Sequence, residues 1–134
     1  MSESLIDIIR TQLYDHHDEV KASLSELNQS KSLVINGPDD QLIDRGLNIS
    51  FYRGQKQTVD AVYSILDAYQ DETDFLKHYE EYAQGIAEDY TNTSKTFAQM
   101  DNPEDDFATL ISYLYTLKGQ KLIIDSINTL VASK

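Results

Sequence analysis

The sequence predicts an all-α protein, either a four-helix bundle or two packed helical hairpins. Its 134 residues include only two prolines and five glycines, so little in the chain interrupts long helices. Apolar residues recur at three-, four- and seven-residue spacings, which is typical of one face of a helix. The chain also resembles itself at an offset of about 65 residues, and such a repeat predicts two halves of similar structure.

The first helix is predicted from about Ser4 to Asn28, with Ser4 as its N-cap. The "NGPDD" sequence then breaks the chain and supplies capping oxygens for the second helix, predicted from about Pro38 to Tyr69. The residues expected to face inward in the first helix are Ile6, Ile9, Leu13, Val20, Leu24 and Leu27. In the second helix they are Leu42, Ile49, Tyr52, Val59, Val62 and Leu66.

The third helix is expected after the "QDETD" turn, with Thr73 as its cap, and should end between Asn92 and Met100. The fourth is predicted from about Pro103 to Ala132, after "DNPEDD". The inward residues are Phe75, Tyr79, Tyr82, Ile86 and Tyr90 in the third helix. In the fourth they are Phe107, Leu110, Leu114, Leu117, Ile124, Ile127 and Val131. At this length the chain, residues 1–134, fits a single domain.

The repeat is clearest in "YRGQKQTVD", which begins at Tyr52, and "LKGQKLIID", which begins at Leu117. The same offset of 65 residues also aligns Pro38 with Pro103. An offset of 66 residues aligns the apolar residues of the first helix with those of the third. Residues matched in this way are called equivalent below. We interpret the pattern as a duplicated hairpin with an approximate internal two-fold, with repeats at about 4–69 and 70–134. The alternative is that any two amphipathic helices with capped starts look alike.

A glycine in each copy of the repeat needs an explanation, because glycine inside a helix costs up to about 1 kcal/mol relative to alanine. A helix crossing with closely approaching backbones would explain Gly54 and Gly119, with Lys56–Asp60 and Lys121–Asp125 paired along or across the helices. Alternatively, the basic residues form one patch for an anionic ligand or an acidic partner. The candidate residues are Arg53, Gly54, Lys56, Asp60, Lys118, Gly119, Lys121 and Asp125.

Composition limits the classes of function. The net charge is -12, which disfavours binding to duplex nucleic acid and favours a basic partner or simple solubility. The chain has no cysteine, so thiolate chemistry is excluded. Its charged N-terminal stretch does not resemble a signal peptide, and no run approaches the roughly 20 apolar residues of a membrane span. We therefore expect a soluble cytoplasmic protein that does not bind membranes.

The sequence predicts no catalytic, cofactor-binding or metal-binding residues. A di-metal bundle needs Glu-x-x-His pairs, and no glutamate stands three residues before His16, His17 or His78. His17 with Asp18, or Asp74 with His78, would make at most a weak surface metal site. A metal-dependent nucleotide hydrolase, which needs paired carboxylates on facing helices, remains an unfavoured alternative.

Five of the nine tyrosines lie on or beside the predicted seams of the third and fourth helices. Tyrosine is favoured at interfaces because it tolerates partial burial. The alternative is that these rings only cover the ends of a thin bundle. The possible interface aromatics are Tyr79, Tyr82, Tyr90, Tyr113 and Tyr115.

The stretch "FYRGQKQTVDAVYSIL" resembles small helical-hairpin proteins encoded by tailed bacteriophages. Those proteins are usually single hairpins, so this chain would be a tandem copy. The resemblance implies a structural or accessory phage protein, located in the host cytoplasm or the virion, and it implies no functional residue.

Taken together, these patterns favour a non-enzymatic helical module that binds a protein partner or itself, as a homo-oligomer. The alternative from another class is an acidic inhibitor, or DNA mimic, whose carboxylates occupy a basic groove.

Overall fold

The computed structural model describes residues 4–29, 39–100 and 107–133, and within these ranges it contains helices and no strand. The helices are α1 (Leu5–Gln29), α2 (Asp39–Ala68), α3 (Glu72–Ala98) and α4 (Phe107–Ala132). The all-α prediction is therefore confirmed. The predicted starts of the second and fourth helices at Pro38 and Pro103 lie outside the described residues.

The N-caps of α1 and α3 show what begins each helix. The Asp7 backbone N–H donates to Ser4 Oγ at 3.2 Å, which confirms Ser4 as the cap of α1. The prediction of Thr73 as the cap of α3 is wrong. Asp71 occupies that position in extended conformation, and its carboxylate accepts from the Asp74 N–H at 3.2 Å. This places Thr73 inside the first turn of the helix.

The bundle is built from two hairpins, α1–α2 and α3–α4. The most extensive helix contact joins α2 to α4, while α1 packs mainly on α2 and α3 mainly on α4. Contacts of α1 with α4 and of α2 with α3 are smaller. The two inner helices thus form the centre of the molecule, and each outer helix covers one of them.

The core contains apolar residues from all four helices, and most of the buried ones lie at predicted inward positions. They include Ile9, Leu13, Val59, Val62, Leu66, Phe75, Tyr79, Leu117, Ile124 and Ile127. The seam prediction missed Leu5, Gln55, Thr58, Ala83, Thr93 and Ile123, all of which are buried. Gln55, Thr58 and Ile123 belong to the inner helices, which are covered from two sides. The buried arc of an inner helix is therefore wider than the single stripe that apolar spacing predicts.

The backbones of α2 and α4 touch where these helices cross. A Cβ added to Gly54 would overlap the carbonyl oxygen of Thr116 and lie 2.8 Å from its carbonyl carbon. A Cβ added to Gly119 would overlap the carbonyl oxygen of Phe51. Any side chain at either glycine would therefore force the two helices apart.

These two contacts are reciprocal. Thr116 is the equivalent of Phe51, and Gly119 is the equivalent of Gly54, so each contact maps onto the other when the two repeats are exchanged. Buried positions follow the same relation, with Thr58, Val59 and Val62 matched by Ile123, Ile124 and Ile127. Such self-complementary pairing is what a local two-fold axis produces. The origin of the halves by duplication stays a prediction.

Gly54→Ala and Gly119→Ala should each destabilise the fold by about 2 kcal/mol or more, because the added methyl group meets backbone that cannot rotate away. Thermal unfolding followed by circular dichroism should show a decrease in Tm of roughly 6 °C or more.

Two other glycines provide matched controls for this prediction. Nothing lies within 4 Å of a Cβ at Gly46 or Gly85, which are exposed in α2 and α3. Gly46→Ala and Gly85→Ala should therefore stabilise their helices by up to about 1 kcal/mol. Equal effects at all four glycines would contradict the close approach at the crossing.

Candidate functional site

The two lysines of the repeated motif point away from the helix crossing. Lys56 Nζ lies 2.9 Å from Asp60 Oδ2, and Lys121 Nζ lies 2.9 Å from Asp125 Oδ2. Each pair stays on its own helix, with lysine side chains that are 51% and 41% exposed. Two residues beyond a glycine, the helix has turned by about 200°, so a glycine at the crossing directs the following lysine outward. Such exposed pairs add little stability.

Lys56 and Lys121 do not form one shared patch. Lys56 lines a groove between α1 and α2, whereas Lys121 lines a groove between α3 and α4. Lys118 Nζ lies over the Tyr115 ring, 4.7 Å from its centroid, and Arg53 is exposed. The glycines are internal, whereas Lys56 and Lys121 lie at different grooves.

Tyr79 is not an interface aromatic. Its side chain is 1% exposed and stacks with Phe75 in the core. The hydroxyl donates to Asn128 Oδ1 at 2.7 Å, and the Ile124 carbonyl oxygen lies 3.1 Å away. These polar contacts allow a buried tyrosine at this position and join α3 to α4.

The other four candidate tyrosines differ in exposure. Tyr82 is partly buried, and its hydroxyl hydrogen-bonds with Thr58 Oγ1 at 3.1 Å. Tyr90 and Tyr115 are also partly buried, and Lys121 Nζ lies 5.8 Å from the Tyr90 ring centroid. Tyr113 is more exposed than the others, at 46%. Within this set, it is the side chain most available to a partner.

His17 and His78 each lie near an oxygen atom of their own helix. His17 Nδ1 lies 3.8 Å from Asp18 Oδ1. His78 Nδ1 lies 2.8 Å from the Asp74 carbonyl oxygen, and its ring stacks on Tyr69 at 3.6 Å. Across residues 4–29, 39–100 and 107–133, no group of three metal-ligating side chains comes together.

Sequence reasoning missed a polar network between α1 and α4. Gln12 Nε2 donates to Ser126 Oγ at 2.6 Å, and His16 Nε2 lies 3.2 Å from the same oxygen. A serine and a histidine at this distance resemble a nucleophile and its base. Ser126, however, lies in the middle of α4, where the neighbouring backbone N–H groups are already used by the helix and offer no oxyanion hole. We interpret the network as a link between the two hairpins.

An apolar groove lies where α1, α2 and α4 meet and is here called the Leu122 groove. Its volume is about 510 Å³. One side of the groove is formed by Leu122, which is 47% exposed, and another by Phe51 and Tyr52. The buried side chain of Val20 also lines the groove. The remaining lining residues are His16, Glu19, Ala22, Ser23 and Gln55. The exposed surface of Leu122 adjoins two aromatic side chains in this groove, and contiguous apolar surface of this kind makes the groove a candidate binding surface.

The place related to the Leu122 groove by exchanging the two repeats has different residues. Gln57 is the equivalent of Leu122, and its side-chain oxygen accepts from Gln120 Nε2 at 3.2 Å. Tyr82 is the equivalent of His16. A polar pair and a larger aromatic side chain thus replace Leu122 and the smaller histidine. The mismatch of Leu122 with Gln57 between the two copies of the motif was the sequence signal that could have revealed the groove.

Comparison with known proteins found no relative of this chain. No family model, curated protein or solved structure matches the chain. None of the helices in the described ranges combines the length and apolar character that crossing a membrane requires.

The burial of Tyr79 predicts that the stability of the fold decreases at alkaline pH. Burial of the hydroxyl, with smaller effects of Asp125 and Glu80, raises the pKa of Tyr79. Below about pH 10 the phenol keeps its proton in both the folded and unfolded states. Above that pH only the unfolded chain releases it readily, so stability should fall as pH rises.

Tyr79→Phe should lower stability at neutral pH by about 1 kcal/mol, because the hydroxyl loses its partners. It should also reduce the decrease in Tm between about pH 9 and about pH 11 relative to wild type. Thermal unfolding across this range measures both effects. Parallel pH profiles for the two proteins would show that Tyr79 does not cause the alkaline loss.

Proposed function

We propose that the protein is a non-enzymatic helical interaction module that binds a basic protein partner through the Leu122 groove. The observation that carries this proposal is the exposed leucine beside Phe51 and Tyr52, because the equivalent of Leu122 is Gln57, which is paired with Gln120. A groove of this size accepts one or two bulky apolar side chains, and such buried anchors supply most of the affinity in many interfaces.

The surrounding structure suits this role. The groove walls come from three helices, two of which are fixed to each other by the Gly54 and Gly119 contacts. A rigid site loses little conformational entropy on binding. Glu19 in the lining and the net charge of -12 favour a partner with lysine or arginine beside its apolar anchor. A second copy of this chain would bring the same negative charge, which disfavours it as the occupant.

An acidic inhibitor or DNA mimic is the second candidate. It is supported by exposed carboxylates on the outer helices, including Asp15 and Asp18 of α1 and Glu81 and Glu88 of α3. Binding of that kind would depend on charge rather than on Leu122, and it should decrease steeply as salt increases.

The resemblance to phage hairpin proteins supports a structural or accessory role in a phage particle or an infected cell. Repeated assembly contacts, made with other proteins or between copies of the chain, would suit a molecule with an internal two-fold. Light scattering of the purified protein tests for the homo-oligomer.

Leu122→Asp should weaken binding to the partner at least about tenfold, because it places a charge at the apolar anchor. The partner is first isolated by affinity purification from the native source, and its affinity is then measured by calorimetry. Wild-type binding should change only a few-fold, roughly, between about 0.1 M and about 0.5 M salt.

Ile43→Asp is the matched control, since Ile43 is 60% exposed on α2 outside the groove lining. This variant should bind as the wild type does. Both variants should keep the wild-type circular dichroism spectrum. Equal affinity of Leu122→Asp and wild type would contradict the groove, and loss of binding in salt by all three proteins would support the acidic mimic.

A further inference from the structure

A second groove, between α1 and α2, gathers basic side chains on an otherwise acidic protein. It is lined by His17, Lys21, Leu24 and Lys56 and has a volume of about 320 Å³. None of these described lining residues carries a carboxylate, although the chain has 23 acidic and 11 basic residues. Two ammonium groups and an imidazole therefore adjoin one partly buried leucine, and we call this site the Lys56 groove.

The other hairpin contains an internal comparison. Lys121 is the equivalent of Lys56 and lines the groove between α3 and α4. Ala83 and Ala87 are the equivalents of His17 and Lys21, and Glu80 and Asp125 also line that groove. Two equivalent places thus share one lysine–aspartate pair. They differ in the other charges, because His17 and Lys21 occur in one and Glu80 in the other. The excess of basic groups belongs to the Lys56 groove and does not follow from the repeated motif.

We propose that the Lys56 groove binds a small organic anion that carries an apolar portion. The acidic headgroup, a carboxylate or a phosphate monoester, lies between Lys21 and Lys56, and the apolar portion packs against Leu24. A lysine ammonium has three N–H donors, so Lys56 can keep its 2.9 Å contact with Asp60 while it binds the headgroup. His17 supplies a further ring N–H donor at the same groove.

The surroundings of the Lys56 groove favour a ligand that has both an acidic headgroup and an apolar portion. Exposed lysines are strongly hydrated, so their attraction for a headgroup alone is weak. Contact with Leu24 adds the hydrophobic contribution that a bare inorganic anion lacks. The net charge of -12 repels polyanions such as nucleic acids along their whole length. These conditions favour a compact ligand with a single headgroup.

This site is separate from the proposed function. The lining residues of the Lys56 groove are not shared with the Leu122 groove. Failure of one proposal therefore leaves the other standing.

The test is a titration of the full chain with four probes: hexyl phosphate, hexanoate, inorganic phosphate and hexanol. Hexyl phosphate, hexanoate or both should bind saturably, at least about tenfold more tightly than inorganic phosphate or hexanol. Calorimetry gives the affinities, and backbone amide chemical shifts should change around Lys21, Leu24 and Lys56. Which acidic probe binds identifies the headgroup.

Lys21→Gln and Lys56→Gln should each weaken this binding by about fivefold or more. Lys121→Gln is the matched control, since it breaks the same kind of lysine–aspartate pair in the other hairpin, and it should leave the affinity unchanged. Far-UV circular dichroism and Tm verify that all three variants fold.

Three results would overturn the proposal. One is the absence of saturable binding of both hexyl probes. Another is equal affinity for hexyl phosphate and inorganic phosphate. The third is equal weakening by Lys56→Gln and Lys121→Gln, which would show attraction to dispersed surface charge rather than to this groove.

Discussion

Direct backbone contact between α2 and α4 at Gly54 and Gly119 is the constraint on which the rest of this structure depends. Each glycine lies against a carbonyl group of the opposite helix, so the crossing admits no side chain at either position. The helix-propensity cost of two interior glycines is offset by the packing that such close approach permits. The most extensive helix contact in the described parts of the chain forms around this point.

The crossing also determines where the motif's other residues lie. Gln55 is buried next to Gly54, whereas Lys56 and Lys121 are turned outward toward the grooves beside α1 and α3. A single helical motif thus supplies both an internal contact and a surface cation. The basic residues first suggested either a buried network or one shared patch. The geometry instead separates them, because helical rotation directs neighbouring positions to different sides.

The two hairpins share a scaffold but differ in their surfaces. Their core positions correspond, since both inner helices must meet at the same crossing. Differences accumulate where packing is less demanding: Leu122 corresponds to Gln57, and His17 and Lys21 correspond to Ala83 and Ala87. Leu122 lines the groove where α1, α2 and α4 meet, and His17 and Lys21 line the Lys56 groove. Each of these grooves therefore differs from the place that becomes equivalent when the two repeats are exchanged.

The sequence by itself determined the helical class, the bounds of α1 and α3 to within a few residues and most of the core, because these depend on local periodicity and capping. It also singled out the two glycines. Only the tertiary structure decided that Tyr79 packs in the core rather than at an interface, that Thr58 and Ile123 belong to the core, and that Gln12 of α1 bonds Ser126 of α4. It likewise revealed the Leu122 and Lys56 grooves. Such features join residues from different helices, and spacing along one helix contains no information about which neighbour covers each face.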